Sequence, residues 1–158
     1  MLEVARLRQR SNTRRGVIAF VVAIGIVCAL PAAVIAKPGE IKLTPQQETT
    51  SVDSDGSGSF SYTIDGDQLC YTLAVSDLTG SPVGAHIHPG ARNVAGGIAV
   101  HLLTPPAATS TVSECITAVE GGNLTPAELA AIAEDPKSFY VNVHTERYRA
   151  GEIRGQLK

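Results

Sequence analysis

The chain contains no tryptophan and few other aromatic residues. Its 158 residues include three Phe, four Tyr and one Met. A hydrophobic core must therefore be built mainly from Val, Ile, Leu and Tyr side chains. Positive charge is also scarce after residue 36, where eight Lys or Arg stand against fourteen Asp or Glu, a net charge of −6. Because phosphate neutralisation needs clustered Lys and Arg, this acidic segment with scattered basic residues predicts no nucleic-acid partner.

The chain also lacks the common catalytic motifs. It has no Gly-x-Ser-x-Gly, no His-Glu-x-x-His and no Gly-rich phosphate loop between a strand and a helix. No free cysteine is paired with a base. We therefore assign no catalytic residue, and a protein that is not an enzyme is the favoured interpretation.

An export signal is predicted at the N-terminus. Five arginines precede an uncharged hydrophobic run over residues 16–36, and Val34-Ile35-Ala36 supplies small residues for a cleavage site. Pro31 interrupts the run, which favours a cleaved signal peptide over residues 1–36. An uncleaved anchor is the alternative, because the run is long enough to span a bilayer and would then be the sole membrane contact. Residues 13–18 resemble a twin-arginine signal, so the export route is either that one or the general one.

The cysteines divide between the leader and the exported part. Cys28 lies in the leader, whereas Cys70 and Cys115 form one pair in a chain bound for an oxidising compartment. We predict a Cys70–Cys115 disulfide, with two buried free thiols as the alternative.

Alternating apolar and polar residues predict an all-β domain. The pattern gives seven or eight short strands at regular spacing, which is typical of a sandwich or barrel. Residues 37–57 are predicted to be a linker running into a first edge strand, and residues 58–158 the main domain. The strand faces include Phe60-Tyr62-Ile64 and Ile98-Val100-Leu102. One short crossover helix is predicted after Thr125, where a capping box precedes an apolar stripe.

All four histidines are predicted to point away from the core. His86 and His88 flank Ile87, His101 lies between two apolar residues, and His144 follows Val143 on an alternating strand. The final hairpin is predicted to bring Asn142, His144, Glu152 and Arg154 onto one outward patch.

Two interpretations of this patch remain open. In the first, His86, His88 and His144 bind copper or zinc, His101 is at most peripheral, and Glu152 is a fourth ligand or an acceptor behind a ligand. Arg154 would then attract an anion to the metal, with Asn142 beside it. In the second, Arg154 pairs with Glu152 in a structural polar network that holds no metal.

Four segments resemble the CHRD domain, the module repeated in chordin and found singly in exported bacterial proteins. They are residues 69–73, 85–88, 140–145 and 151–157, which include HIH, NVHT and GEIRGQL in that order, and the resemblance covers roughly residues 41–158. It implies a Greek-key β-sandwich of superoxide dismutase-like or immunoglobulin-like architecture. His86, His88 and His144 match copper-ligand positions of Cu/Zn superoxide dismutase. The zinc-binding loop of that enzyme has no counterpart here, because residues 89–97 contain neither His nor acid.

Three functions are compatible with these features. The favoured one is a non-catalytic module outside the cytoplasm that binds an unidentified extracellular ligand or protein, or serves as an envelope component. The second is a copper/zinc redox protein related to superoxide dismutase, and the third is metal storage at the envelope. The missing zinc-binding loop favours the first over the second.

The leader generates a direct prediction. N-terminal sequencing of the exported protein should begin at Lys37, because the small-residue site ends at Ala36. A full-length product retained in the cytoplasm would contradict this expectation.

Overall fold

A computed structural model describes residues 39–158 of the chain. The predicted leader, with its cleavage site and Cys28, lies outside the described residues. Within residues 39–158, no helix combines the length and the apolar character needed to cross a membrane.

Eight strands and one α-helix make up the described part, with the order β1 to β6, α1, β7 and β8 along the chain. The strands are β1 Ile41–Leu43, β2 Ser57–Asp65, β3 Gln68–Ser76, β4 Pro82–Pro89, β5 Val100–His101, β6 Ser110–Thr117, β7 Phe139–Thr145 and β8 Ile153–Gln156. The helix α1 spans Pro126–Glu134, and short 3-10 turns cover Pro45–Gln47 and Pro136–Ser138.

The strands form two four-stranded antiparallel sheets. One has the order β1-β2-β3-β6 and the other β5-β4-β7-β8. After β4 and β5 the chain returns to the first sheet, so β6 pairs with β3 in a Greek-key manner. The predicted all-β sandwich with one short helix is confirmed. At one edge the sheets meet, where Thr44 and Arg154 exchange backbone N–H···O bonds of 3.0 and 3.1 Å.

The core lies between the two sheets, where alternate residues of each strand face inward. Phe60, Leu73, Ile87, Val141 and Ile153 are fully buried there. On β4 and β7 the alternation is strict, because Ala85, Ile87, Val141 and Val143 all lie in the core. The intervening side chains of these two strands therefore point to the opposite face of the second sheet.

The helix begins as its sequence predicts. The Thr125 side chain accepts from the backbone N–H of Glu128, and the Glu128 carboxylate accepts from the backbone N–H of Thr125. Leu129 and Ile132 are buried, so α1 packs against the sandwich by this pair.

One predicted strand is shorter than expected. The pattern Ile98-Val100-Leu102 predicted a single buried face, but β5 contains only Val100 and His101, and Ile98 is 48 % exposed. The two backbone bonds that flank β5, Ala99 N–H to Ile87 and Leu102 N–H to Ala85, still fix it against β4. Ile98 belongs to the preceding loop and lies outside this pairing, so the alternating pattern overestimated the length of the strand.

The predicted disulfide is present on the outer side of the first sheet. Cys70 and Cys115 face each other directly in the β3–β6 register, 45 residues apart in sequence. Cys70 is half-buried and Cys115 exposed, in keeping with alternation from the buried Leu69 and Tyr71. The bond therefore joins two adjacent strands without filling the core.

Loss of this disulfide should destabilise the domain without repacking it. A Cys70→Ser/Cys115→Ser variant should lose about 3–4 kcal/mol of unfolding free energy, because the unfolded chain regains the entropy of the closed loop. Urea unfolding measures this, and thiol titration of the denatured, unreduced wild type should find no free thiol in residues 39–158. A Thr72→Ala/Ser113→Ala variant of the neighbouring hydroxyl pair is the control and should lose no more than about 1 kcal/mol.

Candidate metal centre

The pairing of β4 with β7 brings three histidines together. Gly84 lies opposite His144, and His86 opposite Asn142, so the rings of His86 and His144 meet diagonally. Their centroids are 4.9 Å apart, and the His88 ring is 5.5 Å from His86 and 6.2 Å from His144. One ring nitrogen from each residue lies within 4.8 Å of the other two.

Backbone carbonyls fix the orientation of two of the rings. His88 Nδ1 is 2.8 Å from the Gly97 carbonyl oxygen, and His144 Nδ1 is 2.9 Å from the Arg149 carbonyl oxygen. A carbonyl only accepts, so each Nδ1 carries the proton and each Nε2 carries the lone pair. This is the arrangement typical of metal-binding histidines, whose other nitrogen donates to a backbone carbonyl.

The nitrogen atoms that face one another can now be named. His144 Nε2 lies 3.0 Å from His86 Nδ1, which donates to it because His144 already carries its proton on Nδ1. His88 Nε2 is buried and makes no hydrogen bond, although the Asn142 side chain, whose Oδ1 also has no partner, lies close to the His88 ring. Buried polar atoms are normally satisfied, so an unpartnered lone pair beside two other imidazoles is a feature of a ligand-binding position.

Burial keeps the three imidazoles neutral. Burial, and to a lesser extent the charges that His144, His88 and His101 would carry, lower the pKa of His86 from 6.5 to about 4. The pKa values of His88 and His144 are also lowered, mainly by burial. Neutral imidazole is the form that binds metals, so the cluster is in its ligating state at neutral pH.

The cluster opens to solvent through a pocket of about 250 Å³ lined by Val83, Gly84, Ile98, Arg149 and the three histidines. Gly84 leaves room for the rings, because a Cβ there would lie 3.0 Å from His86 Cε1 and would push the His86 ring slightly. The role of Gly84 was not predicted from the sequence. It follows from the strand register, which places Gly84 opposite His144.

His101 lies beside the cluster but outside the group of three. It pairs with His86 across β5 and β4, and their ring centroids are 4.9 Å apart. Its backbone N–H and carbonyl are held by the Asn123 side chain at 2.9 and 2.8 Å, and its side chain is exposed.

The predicted outward patch is only partly correct. Asn142 and Arg154 do lie on the outer face of the second sheet, but they are only 2 % and 1 % exposed. The loop after β4 covers Arg154, whereas Asn142 lies beside Glu48 and Gly151. The Arg154 guanidinium donates to the carbonyls of Val94 and Ala91. The predicted pair between Arg154 and Glu152 is therefore wrong, although Arg154 does belong to a structural polar network.

Glu152 has a different environment from the predicted one. Its carboxylate accepts from the hydroxyls of Ser54, Thr79 and Thr145 and from the Thr79 N–H, all within 2.6–2.8 Å. Its side chain is fully buried and it does not belong to the group of ring nitrogens within 4.8 Å. Because four donors already surround it, Glu152 links the loops at the end of the sandwich and is not a fourth ligand in this conformation.

Glu48 is a buried acid that sequence reasoning assigned only to a linker. It lies beside Gly151 and the Asn142 amide, where its Oε1 has no hydrogen-bond partner. Burial raises the pKa of Glu48 from 4.5 to about 7, although the nearby Arg154 charge and the Asn142 amide act to lower it. No motif marks this residue, because its burial depends on the loop before β8.

Comparison with known proteins identifies one match. The sequence profile of the CHRD domain matches residues 40–157, almost all of the described part. No curated protein and no solved structure is significantly similar to the chain.

The environment of Glu48 predicts a pH-dependent effect of Glu48→Gln. A carboxyl whose pKa is raised on folding must stay protonated, or be ionised at a cost, in the folded protein. Its contribution to the free energy of unfolding is therefore fully present below pH 4.5 and is lost as pH rises through about 7. Relative to wild type, Glu48→Gln should therefore gain stability between pH 4 and pH 8, by up to about 3 kcal/mol. Urea unfolding at both pH values, with chelator present, measures the difference.

The exposed acid Glu134 provides a matched control. Glu134→Gln should leave the difference between the two pH values within about 0.5 kcal/mol of wild type. If Glu48→Gln behaves in the same way, the carboxyl is ionised without cost in the folded protein and this description of its environment is wrong.

Proposed function

The chain belongs to the CHRD domain family, and from that premise we propose that it is an exported, non-catalytic module that binds one copper or zinc ion. His86, His88 and His144 are the proposed ligands. Family membership supports a binding module in general terms. The observation that carries the metal proposal is the set of three neutral imidazoles with one nitrogen from each within 4.8 Å of the others.

The chemistry of these donors fits copper or zinc. Imidazole nitrogen suits both ions, which bind it at about 2.0–2.1 Å, and three histidines leave a coordination position for water or another ligand. Binding of an ion would replace the hydrogen bond between His86 Nδ1 and His144 Nε2, because a ring nitrogen that carries a proton cannot be a ligand. Rotations of the side chains would then bring one deprotonated nitrogen of each ring, now within 4.8 Å of the others, into one coordination sphere. Calcium and magnesium are disfavoured, because both prefer oxygen ligands and the Glu152 carboxylate is already surrounded by donors.

An extracytoplasmic location is part of the proposal. The Cys70–Cys115 disulfide and the family membership support it, since disulfides persist mainly in oxidising compartments. The leader of residues 1–36 would supply the export signal. In that setting the module would acquire or hold its ion without competition from cytoplasmic thiols.

A copper redox protein is the second candidate. The pocket over the histidines, with Arg149 at its margin, could admit a small molecule to a bound copper ion. Superoxide dismutation by the copper-loaded domain is the assay for this activity. A rate no higher than that of free copper in the same buffer leaves the binding module as the function.

Calorimetry tests the metal proposal. The chelator-treated domain should bind Cu(II) or Zn(II) at one ion per chain, and His86→Ala/His88→Ala should weaken binding at least about 100-fold, because two of three ligands are lost. His101→Ala removes a neighbouring histidine outside the ligand set and should change the affinity by less than about 3-fold. Binding that persists unchanged in the double variant, or no binding by the wild type, would eliminate the site.

A further inference from the structure

The loop between β4 and β5 covers the outer face of the second sheet next to the histidines. We call residues 90–97 the covering loop. The covering loop contains neither His nor acid, so none of its side chains is a ligand that would fix the loop to a metal ion. Its position nevertheless matters to the site, because the Gly96 and Gly97 carbonyls lie 3.2 and 2.8 Å from His88 Nδ1.

Arg154 is the side chain that secures this loop. Its two terminal nitrogens donate to the carbonyls of Val94 at 3.0 Å and Ala91 at 2.9 Å. Gln156, two residues further along β8, donates to the Gly90 carbonyl at 2.7 Å. An arginine that is 1 % exposed is costly to bury, so it is retained only where several acceptors match its planar group of donors.

The same arginine also packs against the aromatic neighbour of His88. The Arg154 guanidinium carbon lies 3.4 Å from the centroid of the Tyr140 ring, a cation–π contact. The His88 ring stacks on Tyr140 at 4.9 Å with an interplanar angle of 8°. Because β4 and β8 flank β7 on opposite sides, the imidazole and the guanidinium approach Tyr140 from opposite directions.

Tyr140 connects this stack to the covering loop. Its hydroxyl accepts from the Gly96 N–H at 3.2 Å, next to the carbonyls that accept from His88. A residue larger than glycine does not fit at position 96 in this loop conformation, because a Cβ there would lie 1.6 Å from the Pro89 carbonyl oxygen. The loop, the tyrosine and the arginine therefore form one continuous set of contacts that ends on His88.

We infer that Arg154 is a positioning residue, which fixes His88 in the Nδ1–H tautomer and so leaves the lone pair on Nε2. It acts through the covering loop and through the Tyr140 ring and does not touch the proposed ion. The consequence for metal affinity rests on the proposed function. The consequence for the tautomer does not, because it concerns the metal-free protein.

Long-range ¹H–¹⁵N NMR of the metal-free protein tests the tautomer directly. Wild-type His88 should be protonated on Nδ1 alone, whereas Arg154→Gln should give a mixture of both tautomers. Arg154→Lys should restore the wild-type pattern only in part, because an ammonium keeps the charge but cannot bond two carbonyls in one plane. Arg147→Gln removes an exposed arginine from another loop and is the matched control.

Metal binding supplies the second measurement. Cu(II) affinity should fall about 10–100-fold in Arg154→Gln, the usual effect of removing a group that orients a ligand. The number of coordinating imidazoles, read from pulsed EPR, should fall from three to two. A His88 tautomer and an affinity that match wild type in a folded Arg154→Gln protein would overturn the inference and leave the proposed function intact.

A milder variant covers the case in which Arg154→Gln does not fold. Tyr140→Phe keeps the ring stack and removes only the hydroxyl that accepts from Gly96, so it should also admit the second tautomer. An unchanged His88 tautomer in folded Tyr140→Phe would then overturn the inference. If the wild type binds no metal but the His88 tautomer changes in these variants, the positioning role of Arg154 stands and the metal proposal is refuted.

Discussion

The register between β4 and β7 is the constraint on which the rest of the structure depends. It sets Gly84 opposite His144 and His88 opposite Tyr140 while Ile87 and Val141 remain in the core. A shift by one residue would place the imidazoles in the core and the apolar side chains outside. The hydrophobic core therefore enforces the geometry of the histidine cluster, although none of its side chains belongs to that cluster.

The outer face of the second sheet behaves as a polar interior. The loop of residues 90–97 covers part of it, so the buried groups there must satisfy one another. The Arg154 guanidinium illustrates this, because it donates to the carbonyls of Val94 and Ala91. Among the described residues, the buried side-chain atoms without a partner are Glu48 Oε1, Asn142 Oδ1 and His88 Nε2. Of these three residues, His88 is the one that belongs to the candidate centre, where an unpartnered nitrogen could bind a ligand.

The disulfide was predicted from the count of cysteines in the exported part, whereas strand alternation was sufficient to predict the sandwich and the direction of the histidines. These depend on a period of two residues that the core imposes on each strand. Alternation failed at Glu152, which lies just before β8 begins at Ile153. Gly151 has a φ of 131°, so the chain before Ile153 does not continue the strand. It also failed to predict that Arg154 and Asn142 are buried. A covering loop is a tertiary feature, and nothing in the periodicity of β7 or β8 indicates it.

The hydrogen bonds between Thr44 and Arg154 join the first and last strands of the described chain. Because β1 and β8 run antiparallel at this edge, the two ends of the domain leave it side by side, and a Cβ at Gly39 would lie only 3.9 Å from Lys158 Nζ. A mechanical load applied to both ends would therefore open this edge one hydrogen bond at a time, in the manner of a zipper. The same proximity would allow a short peptide to connect the ends and new termini to be opened in an exposed turn elsewhere.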